Sequence, residues 1–378
     1  MKQLATLVVA SLVLALAITQ SAATKNPRSH HHRGSQHAVF VQTNEPTGNR
    51  IVAFDRAANG QLTQAGTYAA GGNGGVAAPG DESDHLASQG SLVYDWRHSL
   101  LIAVNAGSDT VSTFKVRGDR LRLTGVVPSG GGFPASIAVS GDLVYVLNSG
   151  GPGTLQGFVI RGHRLRALSG STQSLGLSNT DPPNFLTSPG QVGFTPGGGK
   201  LIVTTKASGS NIVVYRVQHD GRLSNPVVNA SATPVPFAFT FDPARRLVSG
   251  EAMQSFVTTY TINGNGTLAN PQALSDNQTA LCWIVLARGY YYVANTGSNT
   301  LSGYRISRSG QPSLIGATGI VATTEPGPID LVASGPYLYG QTGTGGTVDE
   351  YRVHRDGTLE KIGVVTGLPV GQEGIAAG

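Results

Sequence analysis

One phrase recurs seven times along this chain of 378 residues, and it constrains the fold more than any other feature. It consists of an apolar strand ending in a polar residue, a Gly/Ser-rich turn, a second strand carrying an aromatic, and a short Gly-x-Leu hairpin. Near residue 105 it reads LIAVNAGSDTVSTFKVRGDRL, and near residue 295 it reads YYYVANTGSNTLSGYRISRSG. The equivalent polar positions are Asn44, Asn105, Asn148, Thr205, Glu251, Asn295 and Gln341, roughly 43 to 61 residues apart. A repeat of that length built only from strands marks the blades of a β-propeller, because one such unit cannot bury its faces alone.

A further apolar strand precedes most copies: SQGSLVYD (88–95), PASIAV (134–139), GQVGFT (190–195), PFAFTF (236–241), CWIVLA (282–287) and PIDLVA (328–333). These read as innermost strands. The repeated phrase then supplies the second and third strands, and the segment after each Gly-x-Leu supplies the outer one. The first phrase, Ala38 to Phe54, has no inner strand before it, whereas the closing GQEGIAAG (371–378) has that pattern with no phrase after it. The chain is therefore expected to be all-β: a seven-bladed β-propeller of four-stranded antiparallel blades, closed by N- and C-terminal strands sharing one blade. Such closure removes an open sheet edge.

Glycine is abundant (52 residues) and charge sparse (12%), which suits short strands joined by tight turns. The net charge of +5 is spread over hairpin arginines such as Arg117, Arg120, Arg122, Arg161, Arg164 and Arg166 without interleaved aromatics, so no nucleic-acid partner is expected. The opening MKQLATLVVASLVLALAITQSAA reads as a secretory signal over residues 1–23: Lys2, an apolar run from Leu4 to Ile18, and small residues at Ser21-Ala22-Ala23. Residues 24–37, with His30-His31-His32, read as a flexible linker, and 38–378 as the propeller. A secreted or periplasmic monomer follows, with no membrane contact beyond an uncleaved signal anchor. The single Cys282 excludes an intrachain disulfide and reads as a small core residue. Asn229, Asn265 and Asn277 head glycosylation sequons, which matter only in a eukaryotic secretory route.

Antiparallel strands running outward from the axis place inner-strand starts and second-strand ends on one face, the mouth. Gln191, Trp283, Asp330 and Glu373 join the polar set there, beneath two long insertions at 71–85 and 169–190. The asparagines also suit turn capping. Asp81, Glu82, Asp84 and His85 form the densest acidic cluster; a hard cation such as Ca²⁺ favours such ligands, but the spacing fits no calcium-loop template and reads as a solvated loop. No phosphate loop, serine elbow or zinc motif occurs, and no cofactor is expected.

The Asn-Thr/Ala-Gly-Ser…Val/Leu-Ser-x-Phe/Tyr phrase, the stretch CWIVLARGYYYVANTGSNTLSGYRI and the closing PIDL…LPVGQEGIAA resemble the seven-bladed propeller lactonase family, which includes 6-phosphogluconolactonase-like and 3-carboxymuconate-cyclase-like proteins. The resemblance spans residues 38 to 378. It implies hydrolysis or formation of a lactone ring of a small sugar-derived or carboxylated substrate at the mouth. Active members carry an Arg-His pair and a Glu there. In PFAFTFDPARRLVSGEA, Glu251 matches the Glu, but Phe237 and Ala238 replace the pair, and Thr205-Lys206 replaces an acidic strand end. The resemblance thus implies Glu251 as base and Lys206 as anion contact, with Gln191, Asn295, Asp330, Trp283 and Asn148 around the substrate. Loss of the pair leaves the alternative of a non-catalytic propeller binding a glycan, small ligand or protein on the same face.

Overall fold

The computed structural model describes residues 37–80 and 83–378. The signal and linker readings for 1–36, and Asp81 and Glu82, lie outside the described residues. Seven antiparallel sheets form the seven blades. From the axis outward, blade 1 contains Ile375–Ala377, Ala38–Gln42, Arg50–Arg56 and Leu62–Ala69, so the two ends of the propeller share a sheet as expected. Val39 pairs with Ala377 and Val41 with Ile375. Blades 2 to 7 open with inner strands Leu92–Asp95, Pro134–Ser140, Gln191–Phe194, Pro236–Phe241, Leu281–Ala287 and Pro328–Ser334. The outer edges of blades 3 and 6 are split into two short strands each.

The core lies between blades. Alternate residues of each strand face opposite neighbours, so Phe40 packs toward Leu101 and Phe114 of blade 2, while Val39 and Val41 pack toward Tyr339 and Val348 of blade 7. Three second-strand tyrosines fasten one blade to the next. Tyr145 donates to the Gly221 carbonyl (2.8 Å), Tyr292 to Gly357 (2.8 Å) and Tyr339 to Gly60 (2.6 Å). The accepting residue is the glycine of the next blade's Gly-x-Leu hairpin. Gly60 sits at φ +95°, and a Cβ there would fall 2.3 Å from the Tyr337 ring. The repeated glycine is thus required by backbone and packing together.

The repeated polar residue latches the turn at the mouth. Asn105 Nδ2 donates to Thr110 Oγ1 (3.0 Å) and Ser112 Oγ (2.8 Å); Asn295 does the same to Thr300 (3.1 Å) and Ser302 (2.9 Å). Asn148 bonds Thr154 Oγ1 (3.2 Å) and the Ser129 carbonyl (3.3 Å). In strand register the equivalent residues of blades 1 and 7 are Thr43 and Thr342, rather than Asn44 and Gln341, while Thr205 of blade 4 holds the expected place. Each of these threonines accepts through Oγ1 from the first backbone N–H of the third strand, at Arg50, Thr347 and Asn211. Turns of unequal length displace the sequence alignment by one residue in blades 1 and 7.

Candidate functional site at the propeller mouth

The mouth does not open onto an empty channel. The connection from blade 1 to blade 2 dives across the axis and bonds to four blades. Leu86 N donates to Glu373 Oε2 of blade 1 (2.6 Å), Ser88 Oγ to the Ala135 carbonyl of blade 3 (2.8 Å), and Gln89 N to Gly190 beside blade 4 (3.0 Å). On blade 6, Trp283 Nε1 donates to the Ser88 carbonyl (3.1 Å), and the Gln89 amide exchanges two bonds with the Ile284 backbone (3.2 and 3.0 Å). This segment is a plug. The acidic loop read as solvated is therefore partly internal: Asp84 is 2% exposed and caps Ala87 N at 2.7 Å.

Lys206 stands beneath the plug. Its positive φ of 48° follows the end of the second strand of blade 4 and turns the side chain inward. Nζ donates to the carbonyls of Ala87 in the plug (2.6 Å) and Phe185 in the long 169–190 insertion (2.7 Å), and lies over the rings of Phe185 and Phe237 at 5.3 and 5.0 Å. Phe237, which replaces the expected arginine, thus helps hold a cation supplied by the neighbouring blade. Burial pulls the Lys206 ammonium down to about 8, against the opposing pull of Asp84, Cys282 and Glu373.

Asp84 and Glu373 act on Lys206, and Asp330 acts in turn on both of them. Glu373 is fully buried, and its proton affinity is pushed well above the usual carboxylate range by burial and then by Asp84. Asp330 is pushed up to about 7 by burial, although backbone donors at Ile375 and Leu331 oppose this. Its Oδ2 has no hydrogen-bond partner among the described residues. No set of three or more His, Cys, Asp or Glu side chains is arranged to hold a metal ion among the described residues.

A cavity of about 440 Å³ opens beside Lys206, between blades 4, 5 and 6. Phe185, Leu186, Val235, Phe237, Ala252 and Met253 make its apolar wall; Asp84, Lys206, Cys282, Thr279 and Thr296 provide the polar groups. Leu186 and Met253 are more than half exposed and form a hydrophobic rim.

The residues expected around a substrate divide sharply. Lys206 lines the cavity. Glu251 does not: it is 0% exposed in the latch position of blade 5, where it accepts from Thr258 Oγ1 (2.9 Å), Thr233 N (2.9 Å), the Thr233 hydroxyl and Tyr260. Burial raises its proton affinity, and those donors oppose the rise. Gln191 Oε1 receives Phe239 N at 2.6 Å and braces two inner strands. Trp283 is fully buried against Phe237 (centroids 4.9 Å apart), so it supports the wall from behind. Phe185 was not singled out by the sequence and Asp84 read as solvated; the two long insertions that carry them were the available signal.

No family model matches the sequence, and no curated protein is similar to it at a significant level. Solved structures match closely in shape. A candidate 6-phosphogluconolactonase from Bacteroides uniformis superposes with TM-score 0.71 at 18% identity, over 90% of this chain and 98% of that one. Another from Bacteroides fragilis gives 0.68 at 15%, over 93% and 99%. The periplasmic gluconolactonase of Pseudomonas aeruginosa gives 0.67 at 16%, over 90% and 98%. At these identities the likeness is one of architecture: the chain has the lactonase-like seven-bladed propeller fold.

Proposed function

We propose that the mouth cavity binds a small molecule with an apolar body and a carbonyl or carboxylate head, of the lactone and hydroxy-acid class. The observation that carries this reading is the Lys206 ammonium beside an otherwise apolar wall. An ammonium has three N–H donors, and two described carbonyls accept from this one. A lactone carbonyl, or the carboxylate left by ring opening, suits the remaining donor. Alkyl-substituted γ-lactones and medium-chain hydroxy acids should therefore bind more tightly than gluconolactone, whose hydroxyls would go unpaired against Phe185, Val235 and Met253. Calorimetric titration of that panel tests the reading. Lys206→Met should weaken binding of the carboxylates about 10- to 100-fold, the range for a hydrogen bond to a charged group. Because Lys206 also ties the plug, the wild-type pH profile provides a second readout. Carboxylate affinity should hold below about pH 8 and fall as the ammonium loses its proton above it. Flat affinity through that range would overturn the role of Lys206.

Turnover is the second reading, supported by the fold shared with a gluconolactonase. Here Lys206 would stabilise the oxyanion of the ring carbonyl, and Asp84, also in the cavity wall, would take the proton of the attacking water. Proton release in a pH-stat, lost in Asp84→Asn, is the expected result; binding without release leaves a ligand-binding propeller. We also propose export, with residues 1–23 as the leader. The Pseudomonas aeruginosa protein is described as periplasmic, and no helix among the described residues is long and apolar enough to cross a membrane. An envelope-fraction protein beginning near residue 24 is the expected finding.

A further inference from the structure

The turns of a propeller blade divide between its two faces. Those joining first to second strands, and third to outer strands, project away from the mouth. Every blade places arginine there: Arg56, Arg97, Arg164, Arg222, Arg245, Arg288 and Arg355 in blades 1 to 7. Blade 2 is the densest, with Lys115, Arg117, Arg120 and Arg122 around a cleft of about 320 Å³. Arg164 of blade 3 packs over Gly125 of blade 2, so the two patches join. His163 in that seam is held below the usual histidine range by desolvation and then by Lys115, Arg122, His98 and Arg117. Carboxylates on this face are fewer, and several are engaged: Asp242 with Arg246 at 2.6 Å, Asp220 with Arg222 at 3.1 Å, and Asp142 with His98 at 3.1 Å.

The mouth face has the opposite character. Among the described residues its loops and strand ends hold the buried Lys206 and the exposed Arg50, while Glu45, Asp109, Asp181, Asp276 and Glu325 lie in the same loops, Glu325 paired with Lys361 of the outer strand at 3.4 Å. The disc is electrically two-sided. Such a distribution orients the molecule in an external field well before contact.

We infer that the face opposite the mouth docks on an anionic phospholipid surface, leaving the mouth cavity open to solvent. The positive charge comes from all seven blades across a broad face, which matches a planar array of headgroups. A nucleic acid would engage a single stripe and would call for a series of stacking aromatics. The aromatic that stands out on this face is Trp96, 76% exposed in the turn beside Arg97, a residue type suited to the headgroup level. The first strand, Ala38–Gln42, also enters the propeller from this side.

The test is co-sedimentation of the chain from residue 24 onward, which retains every strand of the ring, with vesicles of phosphatidylcholine alone or mixed equally with phosphatidylglycerol. Binding to the mixed vesicles only, released by high salt, is the expected result. Neutralising three exposed arginines together (Arg117→Gln, Arg120→Gln and Arg164→Gln) should lower partitioning about a hundredfold, from about fivefold per charge at a membrane surface. Glu45→Gln with Glu325→Gln on the mouth face should leave it unchanged. Equal binding to both vesicle types, no binding to the mixed vesicles, or undiminished binding of the triple variant would overturn the inference. Binding to duplex DNA without binding to vesicles would also overturn it.

Discussion

Single positions in this repeat carry either structure or chemistry, depending on what replaces the repeated asparagine. Where Asn105 and Asn295 stand, one side chain closes the turn by donating to two hydroxyls. Where Glu251 stands, the same place accepts from Thr258, seven residues on as Ser112 and Ser302 are, and gains Thr233 and Tyr260. Glu251→Gln should therefore lose on the order of 1–3 kcal/mol of stability, because an amide N–H₂ would face donors. Ligand affinity at the mouth should be unchanged, as denaturant melts and titration of the same variant will show. Asp330 makes the opposite kind of prediction. Its proton affinity is raised in the folded state, so the stability it contributes is complete below its ordinary value of 3.8 and lost as pH rises through about 7. Asp330→Asn should flatten that loss, leaving the part due to the other raised carboxyls such as Glu373 and Glu251, and raise stability at pH 8 by on the order of 4 kcal/mol. Melting temperatures compared at pH 4 and 8 give the sign directly.

At the scale of the element, the hairpin glycine and the tyrosine of the preceding blade form one joint. Tyr339→Phe should cost about 1 kcal/mol by leaving the Gly60 carbonyl unpaired, while Gly60→Ala should cost more, since it adds backbone strain at φ +95° and a clash with Tyr337. Paired denaturant curves test the ranking. These joints explain why the strands were legible in the sequence. Each inner strand from PASIAV to PIDLVA repeats because the same neighbouring faces must be filled, and Ile375–Ala377 shows its pattern for the same reason. The plug was not legible. Residues 83–91 have no strand period, and their bonds go to partners up to 287 positions distant, such as Glu373 for Leu86. A loop whose backbone is satisfied across an axis looks in sequence like any polar loop, which is why Asp84 read as solvated. Lys206 could be singled out as a departure from the family pattern. Its partners, the Ala87 and Phe185 carbonyls, belong to loops whose course depends on the closed ring.

For the molecule as a whole, closure of the seven blades sets three regions apart: the interblade cores, a plugged mouth with the apolar cavity beside Lys206, and a basic opposite face. The sequence identified the mouth through strand direction, but the side chains it offered there mostly brace the ring. Asn148 and Asn295 spend their amide N–H groups on neighbouring turns, Gln191 its carbonyl on a neighbouring strand, and Trp283 its N–H on the plug. The Lys206 side of the mouth, where the cavity opens, is the place we propose for a ligand, with Glu251 buried behind its wall. The measurement that bears most directly on this account is a crystal structure of the protein with the tightest-binding alkyl lactone or its hydroxy acid. The account predicts the ligand's oxygen head within hydrogen-bond distance of Lys206 Nζ and its alkyl chain against Phe185, Val235 and Met253. A ligand seated at Glu251, or on the opposite face with the mouth cavity empty, would contradict it.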